Sequence, residues 1–125
     1  MAKKKILAVD DDASVCDMYE RGLSALGYEV VCASSGVQCR KALKKGKPDV
    51  ILMDIMMSDE DGITLTRDIR ADPATADIPI LIVSGLSDAA TLNDALLFGA
   101  VDYLVKPLDI DVLQAKLERI LSGGK

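Results

Sequence analysis

Five side chains able to handle charge or phosphate each stand at the end of a short apolar run. In chain order they are Asp10, Asp11, Asp54, Ser84 and Lys106. The run before Asp54, V-I-L-M, is typical of a strand buried on both faces. Because the carboxyl ends of parallel strands lie along one edge of a sheet, we expect these five side chains to share a single rim.

The charges in this set restrict its chemistry. Two carboxylates about 4 Å apart repel by about 4 kcal/mol at an effective dielectric constant of about 20. Lys106 brings one positive charge to the three carboxylates of Asp10, Asp11 and Asp54. A hard divalent cation, Mg²⁺ or Mn²⁺, would supply the rest through oxygen ligands and leave positions for a phosphate oxygen. We therefore predict that Asp54 is a nucleophile toward a phosphoryl group, whose oxygens contact Lys106 and the Ser84 hydroxyl.

Each of these residues also has a plainer structural interpretation. An Asp or Ser after a strand is commonly a helix cap or a turn residue, and Lys-Pro is commonly part of a loop. Their joint placement at the ends of successive strands is what favours a shared site. Asp12 is the exception, because its position favours a charge at the start of a helix over a metal ligand.

The elements that must position these residues alternate along the chain. Apolar runs predict five strands at 6–9, 28–33, 50–53, 78–83 and 101–105. Amphipathic segments predict five helices at 14–26, 37–45, 62–70, 88–97 and 110–121. This alternation predicts an α/β fold with a parallel sheet, right-handed crossovers and helices on both faces. The polar flanks of the second strand place it at an edge, and the first helix is expected to bury Val15, Met18, Gly22 and Leu26.

Composition excludes several classes of protein. The 125 residues, 50% of them hydrophobic, suit one compact domain over 1–125, with 122–125 as a flexible tail or the start of a linker. A net charge of −5 argues against direct binding of nucleic acid, and no segment indicates a membrane span or a signal peptide. Three Cys without a C-x-x-C indicate reduced thiols and a cytoplasmic location. The absence of His excludes Ser-His-Asp and Cys-His catalysis and an internal phosphohistidine.

Several motifs occur together in a specific order. They are the acidic pair after I-L-A-V, L-M-D, the D-G at 61–62, I-V-S-G and G-A-V-D-Y-L-V-K-P. In this order the sequence resembles, over essentially its whole length, the receiver domains of bacterial two-component response regulators. The resemblance implies a flavodoxin-like, doubly wound five-stranded sheet, (βα)5, with strand order 2-1-3-4-5. Ser58 and Leu108 stand where many receivers carry Pro and Phe, and neither departure touches the proposed site.

The resemblance also implies a role for each site residue. Asp54 would be the phosphoacceptor and a metal ligand, and Asp11 would ligate Mg²⁺ directly. Asp10 would act on the metal indirectly, partly through water, and the backbone carbonyl of Met56 would be a further ligand.

On the phosphoryl side, the resemblance implies that Ser84 and Lys106 contact the oxygens of the phosphate. Tyr103 would be the aromatic switch, turning inward when Ser84 moves toward the phosphate. The Lys106–Pro107 peptide bond is expected to be cis.

The partners follow from the same resemblance. A sensor histidine kinase or phosphotransfer protein would donate the phosphoryl group. The signal would leave through the fourth helix, fifth strand and fifth helix, toward an output domain or protein or into a phosphorylation-dependent homodimer. The residues expected on that face are Asn93, Asp102, Tyr103, Asp109 and Gln114. The domain would then be a signalling acceptor, catalysing only its own phosphorylation and slow autodephosphorylation.

Three other functions are less compatible with these residues. A phosphohydrolase with an aspartyl-phosphate intermediate is the main alternative, but it needs an acid two residues past the nucleophile, where this chain has Met56. A flavin carrier needs a Ser/Thr/Gly-rich loop where 10–12 is D-D-D. A P-loop nucleotide site needs G-x-x-x-x-G-K-[ST], which the sequence does not contain.

Overall fold

Strands and helices alternate strictly through the computed structural model, which describes residues 3–122. The strands are Lys5–Val9 (β1), Glu29–Ala33 (β2), Val50–Met53 (β3), Ile80–Ser84 (β4) and Asp102–Val105 (β5). The helices are Ala13–Ala25 (α1), Gly36–Lys45 (α2), Gly62–Ala71 (α3), Ala89–Leu97 (α4) and Ile110–Leu121 (α5). Of the tail expected at 122–125, all but Ser122 lies outside the described residues.

The sheet is parallel throughout, in the order β2-β1-β3-β4-β5, which confirms the predicted fold. The order reverses between β1 and β3, where Val9 pairs with Met53. The backbone N–H of Asp54 donates to Val9 O at 2.9 Å, and that of Asp10 donates to Ala33 O at 3.0 Å. Asp10 and Asp54 therefore leave neighbouring strands at the same level of the sheet.

Two apolar layers hold the sheet from opposite faces. Alternate residues of β3 enter different layers, with Ile51 and Met53 on one side and Val50 and Leu52 on the other. All four side chains are buried, as expected for a central strand covered by helices on both faces. Within residues 3–122, no helix is both long and apolar enough to cross a membrane.

The predicted buried face of α1 is partly wrong. Tyr19 and Leu23, one helical turn apart, are its buried residues, whereas Leu26 is 41% exposed. Val15 and Met18 pack against the same layer while only partly buried. Leu26 misses the core because it is the C-terminal cap of the helix, after the last turn that faces the sheet.

The start of the fourth strand was also predicted too early. The strand begins at Ile80, although the apolar run begins at Ile78. Pro79 has no N–H to donate, and only its carbonyl enters the ladder, accepting from Ile51 N at 3.0 Å. The strand instead extends to Ser84, which makes this residue part of the rigid sheet.

The loop between β3 and α3 is closed tightly at its base by Gly62. The N–H of Gly62 donates to Ile55 O at 2.7 Å. A Cβ at this position would lie 1.9 Å from the backbone oxygen of Asp54. Any side chain here would therefore push against the backbone of the proposed nucleophile.

We predict that Gly62→Ala lowers the free energy of unfolding by about 2 kcal/mol, because backbone must move to admit the methyl group. Gly46→Ala is the matched control, since Gly46 has extended backbone with φ 179° and no atom within 4 Å of a Cβ. Its effect should stay within about 0.5 kcal/mol. Urea denaturation of both variants checks this, and equal losses would contradict the close contact at Gly62.

Candidate functional site

Three carboxylates meet where β1 and β3 end. Oxygen atoms of Asp10, Asp11 and Asp54 all lie within 4.8 Å of one another. Asp10 is only 1% exposed and Asp54 only 7%, whereas Asp11 is exposed. The rim predicted from the strand ends is therefore present, with two of its charges buried and one open to solvent.

Lys106 reaches this cluster from the end of β5. Its Nζ lies 2.6 Å from Asp10 Oδ2 and 3.8 Å from Asp54 Oδ2. The backbone N–H of Lys106 donates to Ser84 O at 2.8 Å, which extends the pairing of β4 with β5 past the strand. The Lys106–Pro107 peptide is cis, as predicted. The backbone of Lys106 is therefore held by the sheet, and its ammonium group lies closer to Asp10 than to Asp54.

Asp54 is the less compensated of the two buried carboxylates. Burial, followed by the charge of Asp10, raises the pKa of Asp54. The charge of Lys106 and the Ile55 N–H, which donates to Asp54 Oδ1 at 2.9 Å, act in the opposite direction. The net effect is that the site lacks positive charge at the side chain proposed as the nucleophile.

The donor set fits a hard divalent cation. Its ligands are carboxylate oxygens, which Mg²⁺ and Mn²⁺ prefer. Asp11 and Asp54 would hold the ion, with Asp10 beside them, and the exposure of Asp11 leaves room for water or a phosphate oxygen. Met56 follows Asp54 by two residues in the exposed loop, and its carbonyl as a ligand stays a prediction.

Ser84 and Tyr103 adjoin each other at the end of β4. Ser84 is buried, and its hydroxyl oxygen accepts a hydrogen bond from Leu86 N at 3.3 Å. The Tyr103 hydroxyl donates to the carbonyl oxygen of Leu86. Partial burial raises the pKa of Tyr103. The structure thus connects both expected switch residues to the same residue, Leu86.

Asp12 is a helix cap, as its position indicated. Its Oδ1 accepts from Ser14 N at 2.9 Å and from Ser14 Oγ at 2.7 Å. The hydrogen bond from the Ser14 hydroxyl is the main cause that lowers the pKa of Asp12. The N–H of Asp12 donates to Asp10 Oδ1 at 2.9 Å, so the backbone at the start of α1 also holds the buried carboxylate.

A set of contacts on the other side of the site was not predicted from the sequence. The carboxylate of Asp59 accepts from the N–H groups of Gly36 and Val37, and Glu60 pairs with Arg40. These contacts join residues 20 or more positions apart. Local patterns report caps and periodicity within a few residues, so no signal in the sequence pointed to them.

A parallel sheet in the order 2-1-3-4-5, with an acidic cluster and a lysine at its carboxyl edge, defines the class of CheY-like receiver folds. The response regulator receiver domain family matches residues 6–118, and the chain belongs to this family of two-component signalling proteins.

Relatives of known sequence and structure are similar to the chain over most of its length. Transcriptional regulatory protein ZraR of Escherichia coli K12 is 43% identical over 118 residues, covering 94% of this chain and 26% of the relative. Probable transcriptional regulator ycf27 of Guillardia theta is 40% identical, covering 95% and 46%. The chain thus spans about a quarter to a half of the length of these relatives.

Two solved structures match the fold closely. Chemotaxis protein CheY4 of Vibrio cholerae superposes with a TM-score of 0.90 at 30% identity, covering 95% of this chain and 99% of that one. A two-component response regulator of Clostridium difficile gives a TM-score of 0.92 at 31% identity, covering 97% and 98%.

The raised pKa of Asp54 predicts how replacing this carboxylate changes the stability of the fold. A carboxyl whose pKa is higher in the folded state contributes stability at low pH, and this contribution is lost as pH rises through that pKa. Asp54→Asn avoids this loss and should raise the free energy of unfolding at pH 7 by about 1 kcal/mol without Mg²⁺. The gain over wild type should shrink as pH falls through the raised pKa and disappear below about pH 4, where the unfolded carboxyl is also protonated.

Urea denaturation of wild type and Asp54→Asn at several pH values measures this gain. Asp88→Asn is the control, because Asp88 is an exposed cap of α4 whose pKa is lowered, mainly by a hydrogen bond from the Thr91 side chain. A loss of stability in Asp54→Asn at pH 7 would refute the predicted charge imbalance.

Proposed function

We propose that Asp54 accepts a phosphoryl group from the phosphohistidine of a sensor histidine kinase or phosphotransfer protein, in a reaction that requires Mg²⁺ or Mn²⁺. The modified domain then signals to an output domain or protein. The observation that supports this proposal is the convergence of Asp10, Asp11, Asp54 and Lys106 at the carboxyl edge of one sheet.

The reaction is a displacement at phosphorus. A carboxylate oxygen of Asp54 attacks the phosphorus atom, and the P–N bond to the donor imidazole breaks, leaving its electron pair on that nitrogen. Lys106 Nζ, 3.8 Å from Asp54 Oδ2, lies where it can offset charge on the phosphoryl oxygens. Asp11 and Asp54 would hold the divalent cation, which when bound neutralises further charge on those oxygens.

Ser84 and Tyr103 would convert the new phosphate into a change of surface. The Ser84 hydroxyl can donate to a phosphoryl oxygen, which would draw it away from its present hydrogen bonds around Leu86. The Tyr103 hydroxyl donates to the carbonyl oxygen of the same Leu86, so Tyr103 would move with it. Phosphorylation would then shift an existing equilibrium between two arrangements.

The surface that would change is formed by α4, β5 and α5. It exposes apolar side chains, Val105 and Val112 among them. Beside them Asp102 pairs with Lys116 at 2.8 Å and with Arg119 at 2.7 Å. This mixture suits contact with a partner protein or with a second copy of the domain once phosphorylated.

A phosphohydrolase remains the less favoured function. The position two residues past Asp54 would have to carry a general acid, and the thioether of Met56 has no proton to donate. We propose instead that the phosphorylated domain itself transmits the signal to an output domain or protein.

Incubation with acetyl phosphate and Mg²⁺ should add the mass of one phosphoryl group to the intact protein. Asp54→Asn should remain unmodified, because the amide is not a nucleophile, and chelation of Mg²⁺ should abolish the adduct. Intact-protein mass spectrometry measures both. No adduct on wild type, or an equal adduct on Asp54→Asn, would reject the proposal.

Ser84→Ala should slow this phosphorylation by a factor on the order of 10 to 100, because a hydrogen bond to the phosphoryl oxygens is lost. Ser84→Thr keeps the hydroxyl and should restore most of the rate. A time course of adduct formation measures the rate for both variants. If Ser84→Ala is phosphorylated at the wild-type rate, the predicted hydrogen bond from Ser84 is wrong.

A further inference from the structure

We propose that Asp59 is a positioning residue for the metal site. It ties the loop between β3 and α3 to the N-terminus of α2 and thereby holds the backbone of Met56 in place for the cation. This inference rests on the proposed function, because it concerns the cation that Asp11 and Asp54 would bind.

The first support is the geometry of Asp59 itself. Its Oδ1 accepts from Gly36 N at 3.0 Å and its Oδ2 from Val37 N at 3.2 Å. Both oxygens of one exposed carboxylate are thus engaged by the first turn of a helix that lies more than 20 positions earlier in the chain. A carboxylate at a helix N-terminus is also favoured by the helix dipole.

The neighbouring residue makes a second connection of the same kind. The Glu60 carboxylate accepts from Arg40 Nη2 at 3.0 and 3.1 Å, and Arg40 also pairs with Asp68 of α3 at 3.1 Å. The Glu60 side chain lies over Gly36, where a Cβ would come within 2.0 Å of its Oε1. The loop is therefore fastened to α2 at two consecutive residues.

The other end of the loop is fixed at Asp54. Gly62 packs against the backbone of Asp54 and donates to Ile55 O at 2.7 Å. Met56 and Ser58 are exposed and lie between these two anchors. Residues 54–62 contain no proline, so ring stiffness does not fix this segment. Its conformation depends on the anchors, and Asp59 is the anchor nearest to Met56 that binds α2.

A helix cap alone does not explain Asp59. α2 already has its own cap, because the Ser35 hydroxyl accepts from Gln38 N at 3.1 Å. Asp59 takes the two preceding N–H groups, those of Gly36 and Val37. Removing either cap weakens the start of α2, but only removing Asp59 also breaks one of the two connections between the loop and α2. Ser35 is therefore a matched control within the same helix end.

The test is the affinity for Mg²⁺, measured by isothermal titration calorimetry on the unphosphorylated protein. Asp59→Ala should bind Mg²⁺ about three- to tenfold more weakly, at or below the lower limit of the roughly 10- to 100-fold losses seen when a residue supporting a metal ligand is removed. Ser35→Ala should lose a similar amount of thermal stability while binding Mg²⁺ as wild type does. Asp59→Asn keeps one acceptor oxygen and should recover part of the affinity.

Amide hydrogen exchange without metal provides a second measurement. Residues 55–58 should exchange faster in Asp59→Ala than in Ser35→Ala, because only the first variant loses a connection between the loop and α2. Mg²⁺ affinity of Asp59→Ala equal to that of wild type, or an equal loss in Ser35→Ala, would overturn the proposal. A wild type that binds Mg²⁺ and is phosphorylated, with Asp59→Ala unchanged, would overturn this inference alone. Absence of both from wild type would reject the proposed function itself.

Discussion

The ion pair between Lys106 and Asp10 sets the electrostatics of this molecule. Its distance of 2.6 Å means that the lysine charge mostly offsets Asp10, which is one of the two buried carboxylates. Asp54, 3.8 Å from the same ammonium, is left with a raised pKa caused first by burial and then by Asp10. Because burying an uncompensated charge is costly, the site favours a cation or a group that neutralises Asp54.

Packing in the rest of the fold holds these carboxylates together despite the unbalanced charge. β3 is buried on both faces, so the backbone that carries Asp54 cannot relax toward solvent without disturbing two apolar layers. Gly62 closes the following loop against the backbone of Asp54. The charges are held close together by packing that forms independently of them, which is how a site with unfavourable electrostatics can persist in a stable domain.

Two sets of contacts lead away from the site in different directions. One set, formed by Ser84, Leu86 and Tyr103, connects the site to β5 and to the surface proposed to change on phosphorylation. Asp59 and Glu60 connect it to α2 on the opposite flank. A change at Asp54 can therefore act on one flank while the other keeps the loop in place, provided the second set of contacts stays intact.

The sequence by itself determined the element order, the parallel sheet and the rim of Asp10, Asp11, Asp54, Ser84 and Lys106, because apolar runs and strand-end residues are local signals. Strand limits near Pro79 and the buried face of α1 were less well predicted, since ladder bonds and packing angle decide them. Only the tertiary structure decided which carboxylate takes the lysine and that the loop is tied to α2. Those contacts join distant residues, and their distances depend on how the elements pack together.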